Sequence, residues 1–132
     1  MLLHEEIDRL ARIAVHCGFE IHRDLGPGLL ESAYEAMMFA SLQEAGCHVE
    51  RQVAVPLRFK SAQIDVAFRA DLVVESKLLI ELKSVERAAP VHAKQVLTYL
   101  RLMKLPLGLL INFGLASYKL GVQRIANDFR DR

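Results

Sequence analysis

Two apolar runs separated by only three residues constrain the fold more than any other feature of this sequence. Ile64 to Val74 and Leu78 to Leu82 flank the tripeptide Glu75-Ser76-Lys77. Apolar, β-branched runs that are separated by so short a polar segment are typical of a β-hairpin. With a loop of three residues the antiparallel register is fixed, and it places Asp71 directly opposite Glu81.

The same register divides the hairpin into two faces, because side chains alternate along a strand. It pairs Leu72 with Ile80 and Ala70 with Leu82, so one face is apolar and is predicted to pack in the core. Asp71, Glu81 and Lys83 fall on the other face, together with Arg69, Val73 and Leu79. A slip of one residue would separate the two acids and bury one of them.

Two carboxylates that face each other across a hairpin need a compensating charge. Directly opposed side chains have Cβ atoms about 4.5 to 5.5 Å apart, where like charges destabilise a sheet. A divalent cation compensates them, since Mg²⁺ binds one or two carboxylates and keeps several waters. Lys83 would then lie beside the ion, where an ammonium group can orient water or stabilise developing charge. The alternative is a solvated face on which Lys83 and Arg69 simply pair with the acids, and the spacing leaves both open.

The rest of the chain predicts one α/β (α+β) domain over residues 1–132. A helix is expected from about residue 4 to 24, and Gly26-Pro27-Gly28 breaks it. A second helix should begin there and run to about Ala45. The remaining predicted elements are an edge or bulged strand from Val49 that contains Pro56, the hairpin, a helix opening at Ala89-Pro90, a buried strand over Leu107 to Phe113, and a last strand or short helix through Ile125.

Composition excludes several classes of protein. Seventeen basic residues nearly balance sixteen acidic ones, so the net charge of +1 gives no global attraction to a polyanion. Any nucleic-acid surface must be local. No apolar run approaches the length of a membrane span, and acids occupy the N-terminus, so we expect a cytoplasmic protein without a membrane partner. Cys17 and Cys47 lack metal-binding spacing and are predicted to be buried and free.

Several segments resemble one known family in the family's own order. Gly28-Leu-Leu-Glu31-Ser-Ala-Tyr34 resembles the signature of the GxxExxY family of small bacterial proteins, and the resemblance extends over roughly residues 7 to 125. The other matching blocks are Arg69 to Val74, Ile80 to Lys83, Gln95 to Leu100 and Gly108 to Gly114. This family is similar to the PD-(D/E)XK nuclease superfamily.

The resemblance implies a central mixed sheet flanked by helices and a Mg²⁺- or Mn²⁺-dependent nuclease, for which DNA is favoured as the substrate and RNA is the alternative. It implies metal ligands at Asp71, Glu81 and the Leu82 carbonyl, with Lys83 serving the attacking water. Glu31 matches an acid from a preceding helix, and Gln95 matches a helix glutamine. Ala70 stands where the superfamily name has proline, a departure that removes no ligand.

Each of these assignments has an alternative. Glu31 could be an ordinary acid in the first turn of a helix, where the macrodipole favours it. Gln95 shares a helix face with Tyr99, and a structural hydrogen bond is as compatible with that position as a substrate contact. The chain could also be a non-catalytic nucleic-acid- or protein-binding module that retains the fold. A homodimer that spans a duplex is an expectation from size and symmetry.

Basic side chains at positions expected to be exposed are candidates for contacts with the phosphates of a nucleic acid. Their patterns are those of strand and helix exteriors, where charge usually serves solvation. The candidates are Arg51, Arg58, Lys60, Arg69, Lys94 and Arg101.

Overall fold

The computed structural model describes residues 2–127. Three helices surround one five-stranded sheet whose spatial order is the chain order. The helices are α1 (Leu3–Leu25), α2 (Glu31–Glu44) and α3 (Pro90–Met103). The strands are β1 (Val49–Phe59), β2 (Ala62–Val74), β3 (Leu78–Lys83), β4 (Leu107–Asn112) and β5 (Val122–Ala126), and a 3₁₀ turn over Lys119–Gly121 precedes β5.

The sheet is mixed because one connection crosses over. β3 and β4 run parallel and are joined by α3, whereas the other neighbouring strands are antiparallel. The helices α1 and α2 pack on one face, in a cluster with Leu72, Ile80 and Leu82, and α3 packs on the other face through Val96 and Leu100. This arrangement confirms the predicted α+β class with a restriction-endonuclease-like core.

The connection between α1 and α2 is longer than the sequence predicted. The second helix was expected to begin at Gly26-Pro27-Gly28, but it begins at Glu31. Gly26 and Gly28 have φ angles of 70° and 109°, which glycine adopts without strain. The Tyr34 hydroxyl donates to the Gly26 carbonyl at 2.5 Å and accepts from the Leu29 amide at 3.3 Å, so one side chain bridges the two ends of the loop.

The predicted hairpin register is correct near its loop. Leu72 pairs with Ile80, Val73 with Leu79 and Val74 with Leu78. The prediction that Ala70 shares the face of Leu82 is wrong, because Ala70 packs in the cluster beneath α3. The reason is a backbone irregularity at Asp71.

Smaller predictions were also tested by the structure. Pro56 lies on the edge strand β1 at a shift in the β1–β2 register, as expected. Cys17 and Cys47 are buried and free. The His22 ring nitrogen lies 2.7 Å from the Leu115 carbonyl oxygen, so this side chain fixes α1 to the segment after β4. Within residues 2–127 no helix combines the length and apolarity that a bilayer crossing requires.

Candidate active site

A gap opens between β2 and β3 immediately beyond the Leu72–Ile80 pair, and two carboxylates fill it. The Asp71 amide donates to Glu81 Oε2 at 2.7 Å, and the Leu82 amide donates to Asp71 Oδ2 at 2.9 Å. These bonds replace the strand-to-strand bonds that a regular ladder would form there. Asp71 and Glu81 are thus adjacent in one gap, which we call the notch.

The notch exists because the backbone of β2 is irregular at Asp71. The β1–β2 ladder pairs Arg51 with Leu72 and Val53 with Ala70, but the intervening pair of Gln52 and Asp71 is missing. Gln52 has a φ angle of 49°, a conformation that costs a non-glycine residue about 1 to 2 kcal/mol. Its side-chain amide donates to Asp71 Oδ1 at 3.3 Å and to Glu35 Oε1 at 2.5 Å, which offsets that cost.

Burial makes the two acids in the notch hold their protons tightly. Burial, and after it the nearby charge of Asp71, raise the pKa of Glu81 to about 8. The pKa of Asp71 is also raised, first by burial and then by the charge of Glu35. A cation in the notch would oppose both effects.

Lys83 supplies positive charge to this group of acids. Its positive charge opposes the upward pKa shifts of Glu31, Asp71 and Glu81. Glu31 stands in the first turn of α2, and burial raises its pKa. Through the described part of the chain, no ion pair joins Lys83 or Arg69 to Asp71 or Glu81. The surface-pairing alternative therefore finds no support.

The backbone of Leu82 also points towards the notch. Lys83 directs its carbonyl to the β4 side, where the Phe113 amide donates to it at 2.8 Å. Because successive residues of a strand direct their backbone groups to opposite neighbours, the Leu82 carbonyl points to the β2 side. Its role as a metal ligand stays a prediction.

On α3, Tyr99 senses the charge of the two acids in the notch. The Tyr99 ring stacks on Phe68 with a centroid separation of 3.7 Å. Burial raises the pKa of its phenol, and the charges of Glu81 and Asp71 raise it further. Gln95 is exposed one turn earlier, and it makes no side-chain hydrogen bond among the residues described. The predicted site role of Gln95 stays a prediction.

The sequence analysis did not identify Glu35, and it assigned Arg51 to phosphate contacts rather than to an ion pair. Glu35 is only 8% exposed, and Arg51 Nη2 donates to its Oε2 at 3.2 Å. The Arg51 guanidinium also lies over the Phe39 ring, 5.1 Å from its centroid. The predicted phosphate contact of Arg51 competes with this pairing. Glu35 follows Glu31 by one helical turn, and that spacing was the available signal.

The donors in the notch suit an ion that needs few protein ligands. Among residues 2–127, no three His, Cys, Asp or Glu side chains converge tightly enough to hold a metal by themselves. A structural zinc site takes four such ligands, and a catalytic one takes three. Mg²⁺ is instead bound through one or two carboxylates and several waters. Two adjacent carboxyls and a carbonyl directed to the same side fit that second description.

The fold and the notch together define a class. A mixed sheet flanked by helices, with an acid on one strand and an acid-x-lysine on the next, is the core of restriction-endonuclease-like proteins. The sequence model of the PD-(D/E)XK nuclease superfamily matches residues 8–125, and the chain belongs to this superfamily. No curated protein and no solved structure gives a significant match.

Membership carries a general functional meaning. The superfamily consists of nucleases, so it supports a hydrolase of nuclease type with a nucleic-acid substrate, and such enzymes generally use divalent metals. The finer resemblance to the GxxExxY family stays a prediction.

Proposed function

We propose that the protein is a Mg²⁺- or Mn²⁺-dependent nuclease that hydrolyses phosphodiester bonds, preferring DNA to RNA. The observation that supports this most directly is the meeting of Asp71 and Glu81 in the notch, with the Lys83 ammonium close by. In a chain of this superfamily, these residue types are the ones that phosphodiester hydrolysis requires.

The residues of the notch have distinct proposed roles. Asp71, Glu81 and the Leu82 carbonyl would hold the ion, which supplies Lewis acidity and lowers the pKa of bound water. Lys83 places a positive charge where negative charge develops on the phosphate oxygens. Glu31 assists as a further ligand or through a water. Gln95 is proposed to orient Lys83 or the substrate, and this requires a movement or a bound substrate that closes the distance.

Cleavage assays with a matched lysine control test this function. Purified protein is incubated with Mn²⁺ and either plasmid or single-stranded DNA, and Lys83→Ala is compared with Lys119→Ala. Lys119 lies in the 3₁₀ turn outside the notch. We expect the wild type and Lys119→Ala to cleave at similar rates. The cleavage rate of Lys83→Ala should be at least about 100-fold lower than that of the wild type. A folded wild type that cleaves nothing, or equal cleavage by Lys83→Ala, would refute the proposal.

The alternative of a non-catalytic module makes a different prediction. It requires no ion at Asp71, so calorimetric titration with Mn²⁺ would give the same result for the wild type and Asp71→Asn. The nuclease requires binding that depends on Asp71.

A further inference from the structure

The outer half of the β1–β2 hairpin projects beyond the rest of the sheet. We define the arm as residues 54–69, from the Ala54–Arg69 pair to the turn at Lys60 and Ser61. β2 pairs with β3 only from Leu72 onwards, so no third strand supports the arm. At about 3.3 Å per residue the arm is about 17 Å long. All residues from 62 to 67 are exposed.

The arm carries an apolar face and a polar face. Directly paired residues place their side chains on the same face, so Leu57–Ile64 and Phe59–Ala62 form an apolar surface. Phe59 is 67% exposed at its end. The Arg58–Gln63 pair belongs to the opposite face, where Arg58 Nη2 donates to Gln63 Oε1 at 2.6 Å. Exposed apolar surface of this kind marks an interaction site.

The arm also concentrates positive charge. It contains three basic side chains, Arg58, Lys60 and Arg69, against one acid, Asp65, while the whole chain carries a net charge of only +1. The rest of the molecule is therefore slightly acidic. At the tip, the Lys60 ammonium lies 5.3 Å from the centroid of the Phe59 ring. A cation beside an exposed aromatic ring suits phosphates and bases.

We propose that the arm binds duplex DNA in the major groove and holds it against the notch. This inference rests on the proposed function and adds the form of the substrate. Asp71 follows Arg69 by two residues on β2, so the base of the arm adjoins the carboxylates and a duplex lying along the arm would reach them. The major groove of B-form DNA is about 12 Å wide and admits a two-stranded ribbon, whereas that of A-form RNA is too narrow.

A second copy of the chain is a poorer occupant for the arm. Arms that pair around a twofold axis would bring the same residues together, because such an interface is isologous. Two arms in contact would bring the net positive charge of both copies into one interface. Electrostatics thus favours a polyanion.

The salt dependence of DNA binding tests the basic side chains of the arm. A fluorescent duplex of about 20 base pairs is titrated in EDTA at several salt concentrations. The double variant Arg58→Gln/Lys60→Gln is compared with Arg12→Gln/Lys119→Gln, whose positions lie on α1 and the 3₁₀ turn. We expect the arm variant to bind about tenfold more weakly and to reduce the logarithmic salt slope by about 2, with no change in the control. A slope equal to that of the wild type would overturn the proposal.

Separate experiments test the apolar face of the arm and the assignment to the major groove of DNA. Phe59→Ala should weaken binding about fivefold without changing the salt slope, because it removes apolar contact with thymine methyl groups in the major groove and no charge. Duplex RNA of the same sequence should bind about tenfold more weakly than DNA. Equal affinity for the two duplexes would overturn the assignment to the major groove. A wild-type dimer that Phe59→Asp converts to a monomer, with DNA affinity unchanged, would overturn the proposed partner.

Failure of the arm and failure of the nuclease are distinguishable. Lys119→Ala, outside both the notch and the arm, should bind and cleave duplex DNA like the wild type, whereas the arm variants should raise KM with little change in kcat. Wild-type protein that binds through the arm but never cleaves refutes only the nuclease. Cleavage by wild type together with normal KM in Arg58→Gln/Lys60→Gln refutes only the arm.

Discussion

Asp71 and Glu81 have higher pKa values in the folded protein than in the unfolded chain. Glu81 shows this most clearly, since burial raises its pKa to about 8 from an ordinary value of 4.5. Between these two values the folded state binds a proton that the unfolded state has lost, and a rise in pH then favours unfolding. Asp71 contributes in the same direction, because its pKa is also raised.

We therefore expect the free energy of unfolding of the metal-free protein to fall as pH rises from about 5 to about 8. Above that range the ionisation of Glu81 should cause no further loss of stability. Urea denaturation in EDTA at a series of pH values measures this, and Glu81→Gln is the control that removes the titration. Stability that stays constant, or that increases across this range, would contradict the buried pair of acids.

Arg51 neutralises a carboxylate that has little access to water. Glu35 is 8% exposed and accepts from Arg51 and Gln52. Arg51→Ala would leave Glu35 short of its charge partner, at a cost of about 2 kcal/mol in the free energy of unfolding. Arg58→Ala, on the same strand and exposed, should change stability by less than about 0.5 kcal/mol. Equal losses in the two variants, measured by chemical denaturation, would show that the pairing with Glu35 is unimportant.

At the level of elements, Asn112 joins the ends of β3 and β4. Its Oδ1 accepts from the Val85 amide at 3.0 Å and from the Gly114 amide at 2.9 Å, and its Nδ2 donates to the Val85 carbonyl at 3.0 Å. The side chain is 3% exposed. The Asn112 side-chain amide thus pairs with both backbone groups of Val85, as a neighbouring strand would, and fixes the residues after β3 beside β4.

Asn112→Ala should lower the free energy of unfolding by about 3 kcal/mol, because it leaves three backbone groups without partners in a region that excludes water. Gln123→Ala on the exposed side of β5 is the control and should have an effect below about 0.5 kcal/mol. A loss for Asn112→Ala no larger than for the control would contradict this account of the β3–β4 ends.

The elements also show how far the sequence could predict the site. The register of β2 against β3 followed from the three-residue loop and from the alternation around Leu72 and Ile80. The irregularity at Gln52 and Asp71 did not, because it depends on Glu81 Oε2 accepting the Asp71 amide and on the left-handed conformation of Gln52. No residue type in the sequence marks either event. This irregularity places Ala70 on the face opposite Leu72.

At the scale of the whole molecule, one sheet connects all the helices. The clusters beneath α1 and α2 and beneath α3 share the strands β2 to β5, so neither layer has a sheet of its own. We propose a single folding unit and expect one thermal transition in which the calorimetric and van't Hoff enthalpies agree. Two separable transitions, or disagreement between the enthalpies, would contradict a single domain.

The sequence predicted this architecture because the hydrophobic period changes clearly between helices and strands. It did not predict the projecting arm, because arm residues such as Leu57 and Ile64 have the same alternation as strands that are buried. Only the short β2–β3 ladder shows that no third strand covers them.

The central claim is that Asp71 and Glu81 share one divalent ion. Anomalous diffraction from a crystal soaked in Mn²⁺ measures this directly, with a crystal of Asp71→Asn as the control. We predict one strong peak within bonding distance of a carboxylate oxygen from each acid in the wild type, and none there in the variant. A wild-type crystal with the notch open to solvent and no peak beside these carboxylates would contradict the claim.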